Sequence, residues 1–427
     1  MKQNKEIPAG YKDSPLGIIP EEWEVKKLGS VFSQITTFSF SRDQMSELEQ
    51  KLRYVHYGDI HKNIERDCIN LKIDELPFLL DYIIPDVKIK DSNFPYLING
   101  DILLTDASED YDGIGKALEI VDTDNKKVIG GLHTIGLRCK TNELAIGFGR
   151  LIFKNCQSSK SLKRIAQGTK VYSISYNHIA KLDIVLPPTE EQAKIIEILN
   201  CWDEAIEKHQ ILVEKLEMRK RGLMQQLLNK KKQLREYVAE WQIVKLGDCI
   251  REFNEKPKEK IKYEILTSSN KGLVKQTDYY GDNRITNREE VDYNVIPPNY
   301  VTYRSRSDDG LFTFNKNTYG IYGLVSGYYP VFTALNCNID FLVLFLNYFK
   351  TKLSKFSTGT SQLVLSFSSL ISAKFKLPNY EEQTAIAEVF TTADQEINSA
   401  KAKLNSLIIQ KKGLMQQLLT GKTRVKL

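Results

Sequence analysis

The chain has 427 residues, enough for two or three domains with proper hydrophobic cores. Sixty Lys and Arg against 54 Asp and Glu leave a formal charge of only +6, so a nucleic-acid role must rest on local patches rather than bulk charge. Six cysteines without a CxxC or clustering with the five histidines, and the absence of a signal-like or membrane-length apolar run, lead us to expect a soluble, reduced, cytoplasmic protein rather than a disulfide scaffold, a metal site or a membrane span.

In chain order, a first globular block offers short alternating stretches at Arg53 to Ile60, Asn99 to Thr105, Lys116 to Val121 and His133 to Cys139, then a more helical stretch at Gly147 to Ala166. A Gly-Thr turn at Gly168, a hydroxyl-rich segment and one more strand end at Pro187. The next forty residues read as one long helix. Its seam, Ile195, Leu199, Trp202, Ile206, His209, Val213, Leu216, Lys220, Leu223 and Leu227, is spaced in alternating fours and threes. The helix begins after proline with Glu190-Glu191-Gln192, where carboxylates suit the dipole, and ends among Lys and Arg.

The chain then repeats itself. A second block offers strands at Tyr263 to Ser269, Asn299 to Ser305, Gly320 to Val325 and Tyr328 to Thr333, and a helical stretch from Phe341 to Lys355. From Gly359 it repeats, 191 residues on and without a gap, the Gly-Thr turn, the strand, the Glu-Glu-Gln helix start and the terminal GLMQQLL. The second seam, with the same spacing, is Ile386, Phe390, Ala393, Ile397, Ala400, Leu404, Leu407, Lys411, Leu414 and Leu418. WEVKKLG at Trp23 recurs as WQIVKLG at Trp241. The expected division is 1–186 and 233–377 as globular domains, with 187–232 and 378–427 as long helices and tail. Because a compact domain's ends usually emerge close together, the two helices should run antiparallel as a coiled-coil pair. The fold class is α+β with an internal pseudo-two-fold repeat.

Several motifs look catalytic and are not. GKT at Gly421 lacks the glycine five residues earlier that a phosphate loop needs, and reads as a helix cap. Pro297-Pro298-Asn299-Tyr300 follows Ile296 rather than Asn or Asp and reads as a turn. The acidic run at Asp106, Glu109, Asp110 and Asp112 has no metal-ligand spacing. No catalytic residue and no metal site is expected.

The opening GIIPEEWEVKKLG, the YGDI of Tyr57 to Ile60, the Glu-Glu-Gln helices with Asp203 and Asp394, and the GLMQQLL endings with GKTR after the second resemble the specificity subunit of type I restriction-modification systems over nearly the full chain. The second block departs from the pattern, lacking the Ile-Pro-Glu-Glu that precedes Trp23. The resemblance implies a non-catalytic subunit that reads a bipartite double-stranded DNA site through two target recognition domains. It would dock two methyltransferase and two restriction subunits on its helices. It also implies that S-adenosylmethionine, ATP and Mg serve the assembled complex, with no cofactor bound by this chain. Because the two domains differ, the target should be asymmetric.

Base reading needs paired donors and acceptors on loops held by a rigid frame. The candidates in the first domain are Tyr57, His61, Lys62, Lys116, His133, Lys170 and Tyr172. In the second they are Ser269, Asn270, Lys271, Arg304, Arg306, Tyr328, Ser361 and Gln362. Rival readings are a subunit of a methyltransferase-only or other phage-defence complex, a self-sufficient methyltransferase or nuclease, and a coiled-coil scaffold.

Overall fold

The computed structural model describes residues 7–62, 66–109, 113–168, 171–259, 263–270, 272–280, 292–360 and 362–426. It divides into a first unit, Met1–His209 with Lys403–Leu427, and a second, Gln210–Ala402. The division falls within the long helices, Thr189–Leu227 and Tyr380–Leu419, rather than at their ends. Among the described residues no helix is long and apolar enough to cross a membrane.

In the first unit a five-stranded sheet runs Phe32–Ile35, Thr134–Cys139, Ile102–Thr105, Ala117–Asp122, Cys68–Asn70, antiparallel except for the last pair. A four-stranded sheet holds Val128–Gly130, Leu52–Val55, Phe78–Leu79 and Met45–Ser46. The second unit has two four-stranded sheets. One orders Ile250–Glu252, Val331–Ala334, Val301–Tyr303 and Phe314–Lys316, the other Gly272–Lys275, Glu264–Ser269, Gly323–Ser326 and Tyr293–Ile296. Helices Gly149–Lys154 and Cys156–Ile165 in the first unit, and Ile339–Tyr348 in the second, complete the α+β pattern.

Each block is closed by pairing its incoming strand with its outgoing one: Glu24–Lys27 with Asp183–Leu186, and Gln242–Lys245 with Lys374–Leu377, all antiparallel. That pairing delivers the chain to the long helix beside the point where it came in. The Glu-Glu-Gln start is then fastened by its glutamine. Gln192 Oε1 accepts from Ala145 N (2.9 Å) while its Nε2 donates to Glu143 O and Pro187 O (both 2.8 Å). In the second unit Gln383 accepts from Asn338 N (2.9 Å) and donates to Pro378 O (2.9 Å).

Within each unit the helices pair antiparallel. Ile195 and Leu199 share the first core with Leu418 and Leu419; Leu227 shares the second with Ile386 and Phe390. Each such buried side chain contributes about 1.5 to 3 kcal/mol. Ile206, Val213, Ile397 and Leu407 are buried as the seam requires, while Trp202, Leu216, Leu223, Leu404 and Leu414 are half-buried. The two lysines in the seam find the two aspartates that the repeat aligns: Lys411 with Asp203 in the first unit, Lys220 with Asp394 in the second.

One expected strand is corrected. The alternation from Arg53 to Ile60 stops at Val55, and Tyr57–Lys62 is a short helix. His56 and Asp59 cause the turn: the Asp59 carboxylate accepts from His56 N (2.9 Å) and His56 Nδ1 accepts from Gly58 N (3.1 Å), a cap that ends the ladder. The GKT tail is the helix cap expected, with Gly421 left-handed at φ +69° and Thr423 N donating to Gln417 O.

Candidate nucleic-acid interface

Backbone hydrogen bonds fix which residues of the two units occupy equivalent places. Ile174 N donates to Asp106 O, and Leu365 N, 191 residues on, donates to Ser305 O. Strand register carries this further: Ala107 pairs with Ser173 as Arg306 pairs with Val364. Thr105 therefore matches Arg304, Ala107 matches Arg306, and across the neighbouring strand His133 matches Tyr328.

In the second unit Arg304 and Arg306 are exposed on either side of buried Ser305, so both face out as alternation demands. Ser305 Oγ donates to Tyr328 O (2.5 Å), holding that loop, and the Arg306 guanidinium stacks 4.5 Å from the centre of the Tyr328 ring. Ser269 and Asn270 line the same cleft with Arg304, Arg306, Asp308 and Asp309. Gln362 reaches it through Asp308, donating to Oδ1 (3.1 Å). Lys271 and Ser361 lie outside the described residues.

The first unit presents different chemistry on the same backbone. Thr105 is buried, and its hydroxyl donates to Gly113 O (2.9 Å) and accepts from Lys116 N (3.0 Å), fixing the loop that carries Lys116. His133, left-handed at φ +55°, packs edge-on against Tyr57 with ring centres 5.9 Å apart, and its Nδ1 is 3.5 Å from Asp106 Oδ1. Burial pushes the Asp106 carboxyl above its ordinary range. The His56 ring lies tilted against Tyr57 with centres 4.5 Å apart, and burial, aided by the Arg42 charge, lowers the His56 pKa. Tyr172 lies in the strand beside Ala107–Ser108. His61 and Lys62 end the short helix, and Lys170 lies outside the described residues.

The glycines that open the two Gly-Thr segments are alike in geometry. Gly168 (φ +128°) and Gly359 (φ +114°) each face a carbonyl three residues on, Val171 O and Gln362 O, where a Cβ would stand 1.9 and 2.3 Å away. No other residue fits there.

Sequence reasoning missed the residues behind these surfaces. Glu191, placed by sequence as a dipole partner, is 1% exposed; it accepts from Trp23 Nε1 (2.8 Å) and from Arg424 Nε and Nη2 (2.8 and 3.0 Å). Its hydrogen bonds raise the Arg424 pKa further. Glu382, equally buried, has an unpartnered Oε2, and Trp241 Nε1 is unpartnered too. The recurrence of a Trp with every Glu-Glu-Gln was the available signal. Glu119, buried on its strand, accepts from Gly147 N and Arg150 N, and burial raises its pKa to about 7.

A sequence profile described as the type I restriction modification DNA specificity domain matches residues 20–217 and again 239–408. The MjaX specificity subunit of a type I restriction enzyme from Methanocaldococcus jannaschii is 24% identical over 439 residues, covering 97% of each chain. The MjaVIII specificity subunit of the same organism is 27% identical over 294 residues, 62% of this chain and 68% of that one. Among solved structures, the S subunit of a type I restriction-modification system from M. genitalium superposes with a TM-score of 0.52 at 14% identity, covering 93% of this chain and 96% of that one. A chain from a structure addressing complex assembly and conformational transition of the type I system gives a TM-score of 0.56 at 16% identity, covering 95% and 99%. Those two likenesses are of fold; the profile matches most of the chain, and the chain belongs to the family of type I restriction-modification DNA specificity subunits.

Proposed function

We propose that this subunit reads an asymmetric, two-part DNA site, one half per globular domain, and carries methyltransferase and restriction subunits, two of each, on its long helices. The observation that carries the reading is the contrast at matched positions: Arg304, Arg306 and Tyr328 in one domain stand where Thr105, Ala107 and His133 stand in the other. A frame kept and a reading edge changed is what two modules with different targets require. Arginine offers guanine a bidentate donor pair; the Tyr57 and His133 rings with Lys116 offer a different set. Exposed Ile211, Leu212 and Met218 on the first long helix, and Ile408 and Ile409 on the second, support docking of protein partners there. S-adenosylmethionine, ATP and Mg would belong to those partners rather than to this chain.

The test is to replace residues 23–186 with the first domain of another specificity subunit and sequence the methylated motif made by the reassembled complex. One half-site should change. A change in both halves, or in neither, would defeat the reading.

A further inference from the structure

Arg66 and Asp67 lead into the strand Cys68–Asn70, on the C-terminal side of the short helix Tyr57–Lys62 that carries three of the first domain's candidate readers. That lead-in is held at both residues. Arg150 Nη1 donates to Arg66 O (2.8 Å), and Glu119 N donates to Asp67 O (3.0 Å). Lys154, one turn beyond Arg150 on the helix Gly149–Lys154, forms an ion pair with the Asp67 carboxylate. Asp67 itself is held left-handed, at φ +55°.

The same two cations reach the long helices. Arg150 Nη2 donates to Asn200 Oδ1 (3.0 Å) on the first of them, and its backbone N–H donates to Glu119 Oε2 (2.9 Å). Lys154 feels the charges of Asp203 and Lys411, which pair across the two helices. Arg150 is 4% exposed and so cannot touch DNA. A planar guanidinium with one nitrogen on a loop carbonyl and another on a helix amide fixes a distance as a single ammonium cannot.

We infer that Arg150 and Lys154 are positioning residues for specificity: they set the height of the Tyr57–Lys62 reading helix against the long-helix frame, so the first half-site is read correctly only while both are in place. The inference rests on the one-domain, one-half-site reading. The second unit carries its register-matched residue differently: where Glu119 caps a helix through backbone N–H groups, Lys316 pairs with Asp340. The first half-site alone should therefore depend on these two cations.

Arg150→Met, Arg150→Lys and Asn200→Ala are introduced singly into the full chain, assembled with its methyltransferase subunits, and assayed by methylation of duplexes with one mismatch in either half-site. Asn200 is exposed, so its variant keeps the fold even where Arg150→Met does not. Discrimination against mismatches in the first half-site should fall about tenfold for Arg150→Met and by less for Arg150→Lys and Asn200→Ala, with the second half-site unchanged. Unchanged discrimination in assembled Asn200→Ala and Arg150→Lys complexes overturns the inference, as does equal loosening of both halves. An Arg306→Ala control separates the two ideas: loosening of the second half-site alone upholds the one-domain, one-half reading, whatever the Arg150 and Asn200 variants do.

Discussion

Glu191 and Glu382 occupy the same step of the repeat, each at the start of a long helix and each 1% exposed. Around Glu191 three donors converge, one from Trp23 and two from Arg424. Around Glu382 the corresponding tryptophan donates to nothing and one carboxylate oxygen has no partner. The reason lies in the tail. The two helix ends are capped alike, Lys230 left-handed where Gly421 is, but the residue in the place of Arg424 is Gln233, whose side chain turns to Ala239 O. Duplication copied the frame and both acidic residues; the cation that answers one of them lies just past the identical stretch, where the copies have diverged.

Removing that cation should have the largest effect. Arg424→Ala leaves Glu191 buried without its counter-charge and should destabilise the first unit by about 3 to 5 kcal/mol, whereas Glu382→Gln should cost nothing or stabilise the second. Calorimetry of both variants decides it, and equal losses would mean that the two sites are alike.

Glu119 supplies a pH-dependent version of the contrast. Its folded pKa of about 7 lies above the unfolded value near 4.5. The folded state thus binds the extra proton between those limits, and the stability this group contributes is complete below pH 4.5 and lost as pH rises through 7. The swing is up to about 3 kcal/mol. Glu119→Gln should flatten the melting temperature across pH 5 to 7.5. Lys316→Met, which breaks the exposed pair with Asp340 at the matching place, should cost under about 1 kcal/mol with no such pH dependence.

At the reading edge the expected effects are smaller and local. Arg306→Ala should relax one position of one half-site by about 1 to 3 kcal/mol, seen as a degenerate base in the methylated motif, and Ala107→Ser at the matched position should change little. Smallest of all, Gln233→Arg should supply the second latch with its missing guanidinium and raise the stability of the second unit by about 1 kcal/mol. No gain in a thermal melt would show that Glu382 is beyond reach from that side.

What could be read from sequence was whatever repeats or alternates. The seam from Ile195 to Leu227, the incoming strand at Trp23 and the glycines of the Gly-Thr turns are periodic or duplicated, and the structure uses them as such. Residues whose role depends on what is folded over them were opaque. Glu119 sits in an alternating strand at a position that would ordinarily face water, until the helix Gly149–Lys154 covers it. Arg150 has the look of any helix cation, and its burial comes from contacts with Arg66 and Asn200, 84 and 50 residues away. Tyr57 was misplaced for a local reason: alternation cannot register a cap made by His56 and Asp59.

The division of the chain between the units has a consequence for synthesis. The second unit is one continuous stretch, Gln210–Ala402, and everything it needs has been made once Ala402 has left the ribosome. The first unit begins earlier yet finishes last. Its core takes in Leu418 and Leu419, Asn155 Nδ2 donates to Leu419 O (2.6 Å), Tyr11 Oη donates to Gly421 O (2.8 Å), and Arg424 closes on Glu191. Through the whole translation of the second unit, therefore, the first waits with part of its apolar core and one buried carboxylate uncovered. The domain made first is the one expected to need a chaperone, and stalled chains ending before Leu418 should be cut by protease in the first block while the second resists.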